Sequence, residues 1–86
     1  METNAVSVDA VKDVLVETLE LQDRAEEIGA ETQLMGALPE LDSMAVLELI
    51  LALEQRFGIT VPEEDVSAEA FATLGSLTEL VERARG

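Results

Sequence analysis

The sequence predicts an all-α protein, a four-helix bundle with a long first connection and a short third helix. Apolar residues recur at helical intervals in three segments, and residues suited to capping precede those segments. The only candidate strand, residues 59–62, is very short and contains Pro62, which argues against a paired strand. With 86 residues the chain has room for one domain, so we expect residues 1–86 to fold as a single unit.

A first helix is predicted to begin after Ser7, whose hydroxyl can cap it. Asp9 would lie in the first turn, where a negative charge suits the helix dipole. The pattern fades near Leu21. The apolar stripe follows intervals of three and four: Val8, Val11, Leu15 and Leu19.

A long connection, residues 22–41, is predicted next because Gly29, Gly36 and Pro39 interrupt regular structure. An unstructured segment of that length is unusual in a compact domain. We therefore expect a short helical turn near residues 23–28 and apolar anchors on the core. The expected anchors are Ile28, Leu34, Met35, Leu38 and Leu41.

A second helix is predicted from Ser43 to Phe57, with Asp42 as its N-cap and Gly58 as its stop. Its core face spans an arc of roughly 100° at the α-helical period. That face comprises Val46, Leu49, Ile50, Leu53 and Phe57.

The same helix carries a second apolar ridge, formed by Met44, Leu47 and Leu51. Either the first connection folds over this ridge and buries it, or the ridge stays accessible and a partner docks there. We favour docking because the ridge begins beside Ser43. The polar residues that flank it are Glu48, Glu54 and Gln55.

Two short helices are predicted to complete the bundle. Ser67 could cap a brief third helix over residues 67–74, after a turn beginning near Pro62. Gly75 would separate it from a last helix over residues 76–85, with Ser76 and Glu79 at the spacing of a capping box. The expected buried stripe of that helix is Leu77, Leu80, Val81 and Ala84.

Composition excludes several function classes. The chain has 19 acidic and 5 basic residues, a net charge of −14, which argues against nucleic acid and anionic membranes as partners. With no His and no Cys, we expect no catalytic residue and no metal site. The density of carboxylates alone would point to calcium, but no stretch has the spacing of an EF-hand loop.

The charge instead favours a protein partner with a basic patch. Residues 1–4 lack the basic and apolar regions of a signal peptide, and no apolar run is long enough to span a bilayer. We expect a cytoplasmic monomer.

Ser43 is the one candidate for reactive chemistry. A serine at a helix N-terminus is usually a cap, but Asp42 is the better cap here and frees the Ser43 hydroxyl. A serine hydrolase needs a base nearby, and the chain has no His and only one lysine, Lys12. Ser43 is therefore predicted to be an attachment point for chemistry performed by other proteins.

At this point the sequence resembles the acyl carrier protein family, along essentially the whole chain and most closely over residues 32–81. The resemblance implies a four-helix bundle of the acyl-carrier type and a single carrier domain. Four runs carry it: Asp42-Ser43-Met44; Leu47-Glu48-Leu49 continuing through Leu53-Glu54; Phe57-Gly58-Ile59 followed by Val61-Pro62; and Phe71-Ala72-Thr73-Leu74-Gly75-Ser76-Leu77.

The resemblance implies that Ser43 carries a 4′-phosphopantetheine, transferred from coenzyme A by a phosphopantetheinyl transferase with magnesium. The thiol of this group would hold an acyl-type substrate as a thioester, supplied by a loading ligase or transferase and passed to client enzymes with basic patches. Asp42 matches the family's aspartate before the serine. The helix after Ser43 matches the family's recognition helix, and we assign partner binding to Met44, Leu47, Glu48, Leu51, Glu54 and Val61.

Some positions differ from the fatty-acid carriers of the family. Ala45 stands where many have an acid, and Leu41 precedes Asp42 where glycine-alanine is common. These differences favour a dedicated carrier for one pathway and leave open an aminoacyl or peptidyl carrier. A different class, an unmodified acidic interaction domain that uses the same ridge, also stays open.

Overall fold

A computed structural model of the chain describes residues 7–36, 38 and 41–85. The expectations stated above for residues 1–4 and for Pro39 lie outside these residues. The described part is helical: α1 is Val8–Leu19, α2 is Ser43–Phe57 and α3 is Leu74–Arg85, with short 3-10 helices at Gln22–Glu27 and Glu63–Asp65. The predicted all-α bundle class is confirmed.

Helix α1 begins where its sequence predicts and ends at Leu19, two residues before the point where its apolar pattern fades. The Ala10 N–H donates to Ser7 Oγ at 3.1 Å, which is the expected cap. The helix closes at Glu20, whose backbone is left-handed with φ 57° and whose N–H donates to the Val16 carbonyl. A left-handed conformation is easy for glycine but costs other residues about 1–2 kcal/mol.

Helix α2 also has its predicted bounds. Asp42 Oδ1 accepts a hydrogen bond of 2.9 Å from the Ala45 N–H, so Asp42 is the N-cap. Gly58 adopts φ 65° at the other end, and its N–H donates to the Glu54 carbonyl. Glycine takes this conformation without a steric penalty, which is why the helix stops there.

The first connection is held to the segment before α3 by backbone hydrogen bonds. The Leu34 N–H donates to the Ala72 carbonyl at 2.8 Å and the Met35 N–H to the Phe71 carbonyl at 3.0 Å. Gln33 and Thr73 form an isolated antiparallel bridge between the same two segments. The connection is therefore ordered by tertiary contacts, in addition to its own 3-10 turn.

Most of the predicted anchors of this connection are confirmed. Ile28, Leu34 and Leu41 are buried, and Leu38 is partly buried against the core. Met35 was predicted to be an anchor but is 37% exposed, so that prediction was wrong. The adjacent Leu34 is fully buried, whereas Met35 lies in the turn that follows it.

The predicted third helix over residues 67–74 is wrong. Ser67 does cap a turn, since its Oγ accepts from the Ala70 N–H at 3.2 Å, but the turn ends at Phe71. The carbonyls of Phe71 and Ala72 accept from the first connection instead of from a following helical turn. The short helical element of this region is the 3-10 helix Glu63–Asp65.

Helix α3 begins two residues earlier than predicted, at Leu74. Its capping box is formed by Thr73 and Ser76, not by Ser76 and Glu79. The Ser76 N–H donates to Thr73 Oγ1 at 3.1 Å, and the Thr73 N–H donates to Ser76 Oγ at 3.0 Å. Gly75 therefore lies inside the helix rather than before it.

The core joins all three α-helices and the turn before α3. Within the described residues, no buried side-chain nitrogen or oxygen lacks a hydrogen-bond partner. None of the described helices combines the length and hydropathy needed to cross a membrane. The largest fully buried side chains are Val11, Leu15, Leu21, Leu34, Leu49, Leu53, Phe71, Leu74, Leu77, Leu80 and Val81.

Candidate functional site

Ser43 is the first residue of α2 and is exposed. Because Asp42 supplies the cap, the Ser43 hydroxyl is not needed for that purpose. In the described part of the chain the Ser43 side chain has no hydrogen-bond partner. Its oxygen is thus accessible to a reagent from solvent, as the sequence predicted.

Beside Ser43 runs an apolar strip, formed by Met44, Leu47 and Leu51. These side chains are 65%, 58% and 58% exposed, respectively. The first connection therefore does not cover them, and the ridge is accessible, as the favoured alternative predicted. The opposite side of α2, including Leu49 and Leu53, is fully buried, so the strip contributes nothing comparable to the core.

The acidic neighbours of the strip differ from each other. Glu48 is exposed. Glu54 is half-buried, and its Oε2 accepts a hydrogen bond of 2.9 Å from the Val61 N–H. Val61 itself is only 8% exposed and belongs to the core. Glu54, in the last turn of α2, and Val61, in the loop that follows, therefore hold this end of the fold together and do not belong to the exposed strip with which the sequence analysis grouped them.

A shallow groove of about 350 Å³ lies between the end of α1 and the start of α2. From α1 and its C-cap it is lined by Thr18, Leu19 and Glu20. From α2 and its N-cap it is lined by Asp42, Met44, Ala45 and Glu48, and thus by both chain neighbours of Ser43 but not by Ser43 itself. Met44 belongs to both the groove and the apolar strip, so the two surfaces adjoin at Met44.

The electrostatics at Ser43 are mixed. The first N–H groups of a helix have no partner within it, and the helix dipole favours a phosphate there. Asp42 takes one of these N–H groups, and Glu48 adds a further carboxylate nearby. A free phosphate would be repelled by the two carboxylates, whereas a phosphate bonded covalently to the Ser43 oxygen would stay and use the N–H groups. The residues present thus fit a group attached through a phosphodiester to serine.

Known proteins resemble this chain along most of its length. The family model described as "Phosphopantetheine attachment site" matches residues 9–81. The chain is 38% identical over 74 residues to an acyl carrier protein of Wolinella succinogenes, covering 86% of this chain and 91% of that protein. It is 39% identical over 75 residues to an acyl carrier protein of Sulfurovum sp., covering 86% and 92%, respectively.

A comparison with solved structures gives the same result as the sequence comparisons. The fold is similar to the solution NMR structure of a holo acyl carrier protein from Nitrosomonas europaea, with a TM-score of 0.82 and 43% sequence identity. The match covers 88% of this chain and 92% of that chain. Sequence and fold comparisons therefore point to the same family.

Sequence reasoning missed the α1 side of this surface, including Glu20. No periodic pattern marks Glu20 as a site residue or indicates its backbone conformation. The available signal was the absence of glycine after Leu19, where a helix end commonly has one. The structure brings Glu20 to the groove beside Ser43.

Proposed function

This chain belongs to the acyl carrier protein family, and we propose that Ser43 is the residue to which its 4′-phosphopantetheine is attached. The protein is a phosphopantetheine-bearing acyl carrier. The observation that supports Ser43 is its exposed hydroxyl at the first position of α2, free because Asp42 caps the helix. It lies within the region matched by the family model, residues 9–81.

Ser43 contributes an oxygen to the loading reaction and nothing more. With coenzyme A as donor, the Ser43 oxygen forms a bond to the phosphorus that bears the pantetheine, and the pyrophosphate bond to the nucleotide breaks. The nucleotide leaves as adenosine 3′,5′-bisphosphate. The hydroxyl proton must pass to the transferase, because the chain has no His and its single lysine, Lys12, lies on α1.

Once attached, the group supplies a thiol that holds an acyl chain as a thioester. The chain's own residues then present this arm and bind the partner enzymes. Family membership implies a carrier that is not itself catalytic and that acts with partner enzymes. The apolar strip, Met44, Leu47 and Leu51, is the proposed docking surface, and the exposed Glu48 is its proposed contact for basic residues.

The proposed partners are a phosphopantetheinyl transferase, an acyl-loading ligase or transferase, and client enzymes with basic patches. The net charge of −14 supports this choice, because opposite charge raises the rate of encounter. We leave Glu54 and Val61 out of the docking surface because of their places in the fold. An aminoacyl or peptidyl carrier is not favoured, and a cytoplasmic location stays a prediction.

Mass spectrometry tests the attachment site. The apo protein is incubated with coenzyme A, magnesium and a broad-specificity phosphopantetheinyl transferase. We expect the mass of one phosphopantetheine to be added to wild type and to Ser7→Ala, a control at another exposed serine beside the start of a helix, and none to Ser43→Ala. Addition to Ser43→Ala, or no addition to wild type while a known carrier is modified, would refute the proposal.

The carried group is tested separately. The protein is isolated from its native cells in loaded form, and the thioester is cleaved with hydroxylamine. We expect an acyl hydroxamate of a fatty or related carboxylic acid. Release of an amino acid hydroxamate instead would assign the chain to the aminoacyl alternative.

A further inference from the structure

We propose that Glu20 is a specificity-determining residue for the loading of Ser43: its carboxylate, on the α1 side of the groove, receives a basic side chain of the phosphopantetheinyl transferase. This inference rests on the proposed attachment at Ser43 and adds a second helix to the recognised surface. It starts from a conformation that the local sequence does not favour.

Glu20 is unfavourable for α1 in two respects. Its φ of 57° is in the left-handed region, where it is the only described residue other than glycine with a positive φ. Its negative charge lies at the C-terminal end of a helix, where the dipole favours cations. Glycine would satisfy the same backbone geometry without either cost.

Nothing in the described part of the chain compensates for these costs. The Glu20 side chain is exposed and forms neither a hydrogen bond nor an ion pair with any described residue. By contrast Glu17, on the same helix, pairs with Arg56 at 3.1 Å. A strained residue without a stabilising contact is a candidate for a role outside the fold.

The groove offers Glu20 such a role. Its lining combines three apolar residues, Leu19, Met44 and Ala45, with three carboxylates, those of Glu20, Asp42 and Glu48. No cation lines it. An arginine or lysine side chain suits such a lining, because its aliphatic stem can lie on the exposed Met44 while its charged end meets the carboxylates.

The position of the groove selects the partner. The transferase must bring its reagent to the Ser43 oxygen itself, so its surface must contact the immediate surroundings of Ser43. Asp42 and Met44, the chain neighbours of Ser43, line the groove, and Met44 also belongs to the apolar strip on α2. Enzymes that act on the far end of the arm have no comparable need to approach this groove.

Loading kinetics with the same transferase and coenzyme A test the inference. Glu20→Gln removes the charge and keeps the side-chain shape. The control Glu79→Gln makes the same change in net charge at an exposed position on α3 that does not line the groove. At low salt we expect kcat/KM for Glu20→Gln to fall roughly two- to fivefold, mainly through KM, with the control close to wild type.

Two further readouts separate recognition from stability. The decline of kcat/KM with added NaCl should be shallower for Glu20→Gln than for wild type, because one screened attraction is gone. Glu20→Gly should melt about 4 °C higher than wild type, since it relieves the backbone, and yet be loaded more slowly. A purely structural role of Glu20 cannot give higher stability together with slower loading.

The two proposals fail in different ways. If Ser43→Ala is still loaded, the attachment site is wrong and this inference falls with it. If wild type is loaded at Ser43 but Glu20→Gln and Glu79→Gln have equal kcat/KM and salt dependence, only the role of Glu20 is overturned. Loading of Glu20→Gly at the wild-type rate would overturn it as well.

Discussion

The Oε2 atom of Glu54 accepts a hydrogen bond of 2.9 Å from the backbone N–H of Val61, seven residues along the chain. The Glu54 carbonyl also accepts from Gly58 and Ile59 at the end of α2. One residue thus fixes both the end of the helix and the loop that follows it. The carboxylate is engaged in the fold, although its position in the sequence resembles that of a partner contact.

Removal of the Glu54 carboxylate should therefore affect stability. We expect Glu54→Ala to lower the free energy of unfolding by about 1–2 kcal/mol, because the part-buried Val61 N–H loses its charged acceptor. Glu54→Gln keeps an acceptor oxygen and should lose less. Urea denaturation followed by circular dichroism measures both. The control is Glu48→Ala, because Glu48 is exposed, and its free energy of unfolding should stay within about 0.5 kcal/mol of wild type. Equal stability of Glu54→Ala and Glu48→Ala would contradict a structural role for the Glu54 carboxylate.

Two leucines on opposite faces of α2 should affect different properties when replaced: one should affect docking and the other should affect stability. Leu47 is 58% exposed, so Leu47→Asp should fold with nearly the wild-type melting temperature but dock poorly and be loaded slowly. Leu49 is fully buried, so Leu49→Ala should lose about 2–5 kcal/mol of stability through a cavity. Thermal melts and loading rates on the same samples check the pair. Normal loading of a folded Leu47→Asp protein would show that the apolar strip is not a docking surface.

Gly75 is needed for the contact between α3 and the first connection. Its N–H donates to the Ala30 carbonyl at 2.8 Å, and a Cβ there would lie 3.1 Å from the same oxygen. We expect Gly75→Ala to lose about 1 kcal/mol in urea denaturation, despite the better helix propensity of alanine. Gly29→Ala is the matched control, because its Cβ meets no atom within 4 Å and its φ is not in the left-handed region. A stabilised Gly75→Ala would mean that the Ala30 segment can shift at little cost.

Salt should stabilise this protein. The net charge of −14 implies self-repulsion within a small fold, and added ions screen it. Both side chains of the Arg56–Glu17 ion pair are exposed, so the weakening of this pair at high salt opposes the stabilisation only slightly. We expect the melting temperature to rise steadily from low to near-molar NaCl, and to rise with millimolar magnesium. A melting temperature that does not change with ionic strength would show that the carboxylates are already balanced locally.

The amino-acid sequence determined those features that depend on neighbours along the chain. Ser7 fixed the start of α1, and Asp42 and Gly58 fixed both ends of α2, because a cap acts on groups within a turn of itself. The apolar period identified the buried faces, and four short runs between Asp42 and Leu77 indicated the family. These features need no knowledge of what the segment packs against.

Tertiary structure decided what depends on distant segments. The first connection takes the carbonyls of Phe71 and Ala72, so the predicted third helix is a single turn and α3 begins at Leu74. The same packing left Leu51 exposed, turned Met35 outward and engaged Glu54 with Val61. Hydrogen-bond partners far apart in sequence carry no periodic signal. For this reason Ser43 could be proposed as the attachment site from its local motif, whereas the groove that includes Glu20 could be found only after the end of α1 and the start of α2 were seen side by side.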